Sequence, residues 1–376
     1  MGTAIKGNKK ILNFFNHDLQ LIFPVIFLVG TGIIMIYSAS SALALERFKG
    51  EYFFVQRQAL YALIGMGVMF FCVYFPYRYY NYKRLAYSLL VLSIAFLIMV
   101  FTPLGYSAGG ARRWLYIAGQ SFQPSEFVRF AMIIILAYSL DKKQNMIKDL
   151  YRGLLPHILL LVIFTWLIIL QPDFGSVAIL WAITLIMLFA GRVCFLHLSI
   201  FFAVISSLAF CFIYFSPYRL RRFVAFIDPW KYKEDGGYQI IQSLIAFDSG
   251  GIWGTGLGKS EQKLFYLPEP HTDFIFSIIG EELGLLGVLL IIIIYSFILW
   301  KGLVISNNAP DLFGSLLAMG ITVSIALQAV TNMGVTMGLL PTKGLTLPFL
   351  SYGGTSLLIF MASMGILMNI GRSGKK

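Results

Sequence analysis

Charge is what this sequence has least of. Only 12% of its 376 residues are Asp, Glu, Lys or Arg, about half the roughly 25% of an ordinary soluble domain. Hydrophobic residues make up 58%, which excludes a soluble globular protein. Cysteine is scarce as well. Cys72, Cys194 and Cys211 lie in apolar stretches without CxxC or zinc-type spacing, excluding a disulfide framework and a zinc site. A phosphate loop is also missing: residues 254–260 (GTGLGKS) lack the GxxxxGK[ST] spacing and no βαβ unit precedes them. The net charge of +12 would suggest nucleic acid in a soluble chain. Here the basic residues flank apolar runs, so the expected partner is a membrane and not nucleic acid. No small-residue cleavage site follows the first apolar run, which reads as a retained helix.

What the sequence has instead is long windows free of charge, at 19–45, 58–77, 85–111, 153–172, 174–191, 193–218, 283–300, 312–342 and 344–371. About 20 apolar residues cross a bilayer. A tenth, shorter run begins near Pro124 and carries Glu126 and Arg129 in its first turns, where a helix lining a polar cavity can hold them. The expected fold is an all-α integral membrane protein of about ten transmembrane helices. Fifteen basic residues fall in one alternate set of short segments and six in the other, which predicts that both termini are cytoplasmic. The whole of 1–376 reads as one domain, with tails at 1–18 and 372–376. One long extracytoplasmic loop, 216–273, joins helices 7 and 8. Within it 238–247 (YQIIQSLIAF) predicts an interfacial amphipathic helix, followed by a glycine-rich loop.

Polar residues near a membrane carry the most information, and on the outer side they form four groups. The first is Arg112 and Arg113 followed by Gln123-Pro124-Ser125-Glu126. Snorkelling arginines and a helix start explain it in part, with Glu126 at the positive end of the helix dipole. The second, Gln171-Pro172-Asp173, reads mainly as a helix cap. The third is the long loop, with Arg219, Arg221 and Arg222 near its start and Glu269, His271 and Asp273 at its end. Those arginines suit lipid headgroups or a diphosphate. Glu281 and Glu282 precede an apolar span and could serve its N-terminal dipole. Asp273 stands where polar loop meets apolar helix, a place where desolvation and a nearby cation tune a general base. The fourth is the Pro/Gly-interrupted stretch 340–354, holding Lys343, Ser351 and Tyr352. Lys343 is the only charge between Asp311 and Arg372. Irregular backbone near membrane depth is tolerated where it lines a cavity, although snorkelling also accounts for Lys343. No metal-ligand spacing appears, but outer carboxylates and a diphosphate leave room for a loosely bound Mg²⁺ or Mn²⁺.

The motifs GARRW with QPSEF, QPDFGS, YLPEPHTDFIFSIIGEELG and GLLPTKGLTLPFLSYGGTS stand in that order. With them nearly the whole chain resembles the SEDS (FtsW/RodA/SpoVE) family of membrane glycosyltransferases, and its loop is closer to the division and sporulation branch than to the elongation branch. Asp248 departs from the family's usual glycine, and Arg129 from its usual lysine. The resemblance implies a peptidoglycan glycosyltransferase of the bacterial cytoplasmic membrane that polymerises lipid II into glycan strands at the outer face, for septal wall synthesis in cell division. It implies Asp273 as the catalytic carboxylate. Candidates for binding substrate and its diphosphate are Lys343, Arg112, Arg113, Arg221, Arg222, Glu126, Glu269, His271, Ser351 and Tyr352. Implied partners are a class B penicillin-binding protein, other divisome proteins and membrane lipids. A lipid II flippase, an elongation-type polymerase or a scaffold for a division partner are the alternatives.

Overall fold

The computed structural model describes residues 2–108, 111–117, 120–215, 217–233, 236–264 and 266–374. Side chains are described in these segments except at 2–19, 108, 117, 208, 209, 211–213, 217–219, 222 and 223. Gly109, Gly110 and the side chains of Arg219 and Arg222 therefore lie outside the described residues.

Twelve helices are described: α1 (Gly2–Phe48), α2 (Phe53–Tyr74), α3 (Lys83–Met99), α4 (Pro124–Lys142), α5 (Leu155–Ile169), α6 (Phe174–Ala190), α7 (Phe195–Tyr214), α8 (Pro217–Ile227), α9 (Tyr238–Gly250), α10 (Ile275–Asn307), α11 (Leu312–Thr336) and α12 (Gly354–Ser373). Among the described residues six segments, 20–48, 53–74, 150–169, 275–307, 312–336 and 354–373, are long and apolar enough to cross a membrane. The protein is thus a multi-pass helical membrane protein. Helix starts follow from local chemistry. Pro124 opens α4, where its missing N–H is harmless. Asp173 caps α6 by accepting from the Ser176 amide, and Asp311 caps α11 by accepting from the Gly314 amide.

The innermost helix is α12, packed along α2. Leu357, Phe360, Met361, Met364 and Met368 recur at helical spacing and are all buried. At Gly365 a side chain would strike the Met69 backbone on α2, so the absent Cβ sets how closely the two helices approach.

Three expectations are corrected. The fold is not all-α. The charge-free window 85–111 is not one span, because α3 ends at Met99 and a small antiparallel sheet follows: β1 (Gly105–Ala108), β2 (Ala111–Ile117) and β3 (Gln120–Phe122), in the order β1-β2-β3. Pro103 cannot extend the helix ladder, and a Cβ at Gly105 would collide with the Val100 carbonyl. Beyond them the aromatic run Tyr106, Trp114, Tyr116 suits strands. Lack of charge marks apolar surroundings without choosing helix over strand.

Glu281 and Glu282 do stand just ahead of the second half of α10, but their carboxylates are taken by Ser260, the Glu261 amide and Lys263, not by that half's first amides. Helix α10 begins at Ile275, and its backbone breaks at Gly284 (φ +66°). The break frees backbone groups that the glycine-rich loop fills. Thr255 N–H donates to Glu281 O (2.9 Å), Gly256 N–H to Glu282 O (3.1 Å), and Leu285 N–H to Gly251 O (2.9 Å). Such pairing is what permits a broken helix in an apolar setting.

The expected amphipathic helix exists as α9, but it is docked onto the bundle. Buried Ser243 lies 2.5 Å from Ser277 Oγ and donates to Thr336 O at 2.5 Å. Asp248 faces solvent, so its extra charge enters no buried environment.

Gly284→Ala combines an unfavourable positive φ with a Cβ driven into the Gly254 amide, and should destabilise the detergent-purified protein by about 1–3 kcal/mol. Gly67→Ala, which meets open space, should leave the thermal midpoint unchanged in the same unfolding assay.

Candidate functional site

Members of all four polar groups, though not the arginines near the start of the long loop, meet at one end of the bundle, and α11 organises them. Within its charge-free span, Asn332 Nδ2 donates to the backbone carbonyls of Asp273 (2.8 Å) and Leu345 (2.6 Å). One turn earlier, Gln328 Nε2 donates to Thr346 O (2.9 Å) and Thr346 Oγ1 (3.1 Å). One helix therefore ties the segment before α10 to the irregular segment before α12. At Gly344 a Cβ would stand 3.0 Å from Asp273 Oδ2, so the glycine leaves the carboxylate room beside the backbone that carries Lys343.

Asp273 is partly exposed, recessed two residues before α10. Burial first, then the neighbouring Glu269 carboxylate, push its pKa up to about 7, with a small push from Asp173, while the Arg113 guanidinium pulls it down. Lys343 is also partly exposed. Burial lowers its pKa and Asp173 opposes that shift. Among the described residues neither Asp273 nor Lys343 has an ion-pair partner within 4.0 Å, so both charges are open to a ligand.

The sheet sorts the two adjacent arginines. Tyr106 pairs with Trp114 and Ser107 with Arg112, which makes Arg113 the extra residue of a bulge, a device that re-aims a side chain. Arg113 acts on Asp273, and its buried Nε has no hydrogen-bond partner. Arg112 instead donates to Gly105 O (3.2 Å) and to Thr102 O, which fastens the hairpin and takes it away from the candidate diphosphate contacts.

Several other expected residues are placed differently. Glu126 is buried in an ion pair with Arg129, whose guanidinium also donates to Gln328 Oε1, so it supports the Lys343 segment through Gln328 instead of meeting a ligand. His271 is buried against the Phe54 ring (4.5 Å) and the Tyr352 ring (5.7 Å). Burial, and then Arg47, lower its pKa to about 4, so at neutral pH it is an uncharged wall and not a phosphate-binding cation. Ser351 Oγ accepts from the Leu347 amide (2.7 Å), and the Tyr352 amide donates to His271 O (2.9 Å). Both residues shape the irregular segment. Glu269 is exposed in a turn at φ +52° and Arg221 is exposed on α8. Asp173 is the expected cap and more: its carboxylate accepts from Ser176 N and Oγ, Ser125 Oγ and Gln123 Nε2. Among the described residues no three His, Cys, Asp or Glu converge as metal ligands.

Reading charges alone misses Asn332 and Gln328, although two amides four residues apart in an apolar helix were a legible signal. It also misses a second cluster. Buried Lys263 Nζ donates to Glu282 Oε1 (2.9 Å), which Ser38 Oγ on α1 also reaches (2.5 Å). Glu281 accepts from Ser260 Oγ (2.5 Å) and the Glu261 amide (2.8 Å). This cluster fastens the turn that leads to Glu269 and Asp273 onto broken α10. Lys263→Met strands a buried carboxylate and should cost about 3–5 kcal/mol. Adding Glu282→Gln should recover much of that loss, measured as a double-mutant cycle of unfolding in detergent.

Residues 19–376 match the FtsW/RodA/SpoVE family, described as "Cell cycle protein". The chain is 44% identical over 364 residues to the probable peptidoglycan glycosyltransferase FtsW of Trichlorobacter lovleyi, covering 96% of this chain and 95% of that one. It is 41% identical over 357 residues to stage V sporulation protein E of Bacillus subtilis, covering 94% and 97%. A structure reported under the heading "Structural coordination of polymerization and crosslinking by a peptidoglycan synthase complex" superposes with a TM-score of 0.75 at 26% identity, covering 94% of this chain and 96% of that one. The chain belongs to the FtsW/RodA/SpoVE family.

Proposed function

From that membership and this site, we propose that the protein is a peptidoglycan glycosyltransferase that polymerises lipid II into glycan strands for septal wall synthesis. The observation that carries the chemistry is Asp273, a carboxylate with a pKa of about 7 held against the Lys343 segment and under the influence of Arg113. A general base works best with a pKa near the operating pH. Asp273 deprotonates the acceptor sugar hydroxyl as that oxygen attacks the anomeric carbon of the donor, and undecaprenyl diphosphate departs. Lys343 and Arg113 stand ready for the charge that develops on the leaving group, where prepositioned cations act most strongly. Glu269 keeps Asp273 basic enough to take the proton.

The chain crosses the cytoplasmic membrane ten times, with both termini inside and 216–273 outside. Ten described helices of 15 residues or more and the fifteen-to-six distribution of basic residues support this arrangement. Relatives named FtsW and stage V sporulation protein E favour the septum. The similarity to a peptidoglycan synthase complex supports a class B penicillin-binding protein as partner. A flippase fits less well, because transporters place their polar sites near the bilayer midplane, whereas here the site lies at helix ends.

Asp273→Asn keeps size and folding while removing the base, so polymerisation of purified lipid II should fall at least about a hundredfold. The base form exists above its pKa, so wild-type activity should decline as pH falls through about 7. Near wild-type turnover by Asp273→Asn would end the base assignment. Topology has its own check. With the three native cysteines replaced, a cysteine at Tyr232 should react with an impermeant thiol reagent in intact spheroplasts, and one at Asn145 should not.

A further inference from the structure

Asp173 does more than cap a helix. It is buried, and every hydrogen bond it accepts comes from a neutral donor: the Ser176 amide (3.2 Å), Ser176 Oγ (2.7 Å), Ser125 Oγ (3.1 Å) and Gln123 Nε2 (3.3 Å). Among the described residues no cation lies within ion-pair distance of it. These donors fix the carboxylate without cancelling its charge.

The end of α6 that Asp173 caps abuts the Lys343 segment. A Cβ at Gly175 would stand 3.2 Å from Leu345 Cγ, two residues along from Lys343. A 17-residue helix presents about half a positive charge at its N-terminus, and here that end faces a loop carrying an ammonium. Without a negative charge at the junction, the helix dipole and desolvation would both favour a neutral amine at Lys343. We infer that Asp173 is the counter-ion that keeps Lys343 an ammonium inside the site, holding it at a distance so that the cation stays free for the diphosphate. The inference rests on the reading of Lys343 as a leaving-group contact. Asp173 is a positioning residue: it acts through Lys343 and touches no reacting atom.

The electrostatics agree in direction, since burial lowers the Lys343 pKa and Asp173 raises it. The other charged groups around the junction are Asp273, across Gly344, and Glu269 and Arg113, which flank Asp273. Once ionised, the Asp273 carboxylate would also favour an ammonium, although Asp173 is the charge that raises the Lys343 pKa. Asp273 takes up a proton during the reaction, however, and Glu269 is exposed. Asp173 is the buried carboxylate that stays out of the chemistry.

The test compares the wild-type protein, Asp173→Asn, Lys343→Arg and Asp173→Asn/Lys343→Arg, each full-length in detergent with purified lipid II between pH 6 and 10. Asn preserves the helix cap and deletes the charge. Polymerisation by Asp173→Asn should be nearest to wild type at pH 6 and lost at alkaline pH, with the alkaline midpoint lowered by about one unit, as for removal of a nearby opposite charge. The double variant should recover the alkaline limb, because a guanidinium does not lose its proton there. Equal loss at every pH, with no rescue by arginine, would reduce Asp173 to a cap and overturn the inference.

A second readout needs no activity. The rate at which an amine-selective reagent modifies Lys343, followed by mass spectrometry against pH, should show a lower midpoint in Asp173→Asn than in wild type. An unchanged midpoint overturns the inference even if polymerisation falls. A lowered midpoint in a preparation that polymerises nothing upholds the counter-ion and leaves the failure with the glycosyltransferase reading. If Asp173→Asn does not accumulate, Asp173→Ser, which also keeps a capping oxygen, is read in the same way.

Discussion

The irregular backbone between α11 and α12 depends on side-chain amides. In an apolar surround an unsatisfied carbonyl is costly, and residues 337–353 leave the helical ladder while flanked by apolar helices. Asn332 and Gln328 supply the missing donors, to Leu345 and Thr346, and Asn332 shares its amide with Asp273. Asp273 and the Lys343 segment are thus set by one helix face. Tyr295, reaching Pro348 O, and Gly32, where a Cβ would meet Phe349 O at 2.8 Å, hold the far side of the same segment.

Around this anchor the charges divide by how they are satisfied. Glu126 with Arg129, and Lys263 with Glu282, are paired inside the protein, and each pair braces a segment that carries a site residue. Among the described residues, Asp273, Lys343 and Arg113 are left without such partners. Buried pairs hold the frame because breaking one strands a charge, whereas the unpaired charges can answer a substrate that brings its own. The same economy explains the helix break at Gly284: the loop that fills the freed groups also carries Lys263, so one docking event satisfies the backbone and buries the ion pair.

Much of this was written in the order of residues. Charge-free windows located the helices, because a bilayer tolerates few charges. Pro124, Asp173 and Asp311 marked helix starts, because capping chemistry is local. Asp273 and Lys343 stood out as charges where an apolar chain has no reason to keep them. Where the reading failed, at the sheet after α3 and at Glu281 and Glu282, the deciding contacts are distant in sequence: the Val100 carbonyl beside Gly105, and the 251–256 loop against the broken α10.

Composition by itself determined a membrane protein with helices as its main element, since hydrocarbon excludes open backbone and leaves few ways to satisfy it. Motif order determined the family and singled out Asp273. Only the tertiary structure decided which of the other polar residues face one another. It turned Arg113 toward Asp273 through a bulge while tying Arg112 to its own hairpin, made His271 a neutral wall by burying it, and set Asp173 against the loop of Lys343. Such choices depend on burial and on partners brought together from far along the chain, quantities that a linear sequence does not carry.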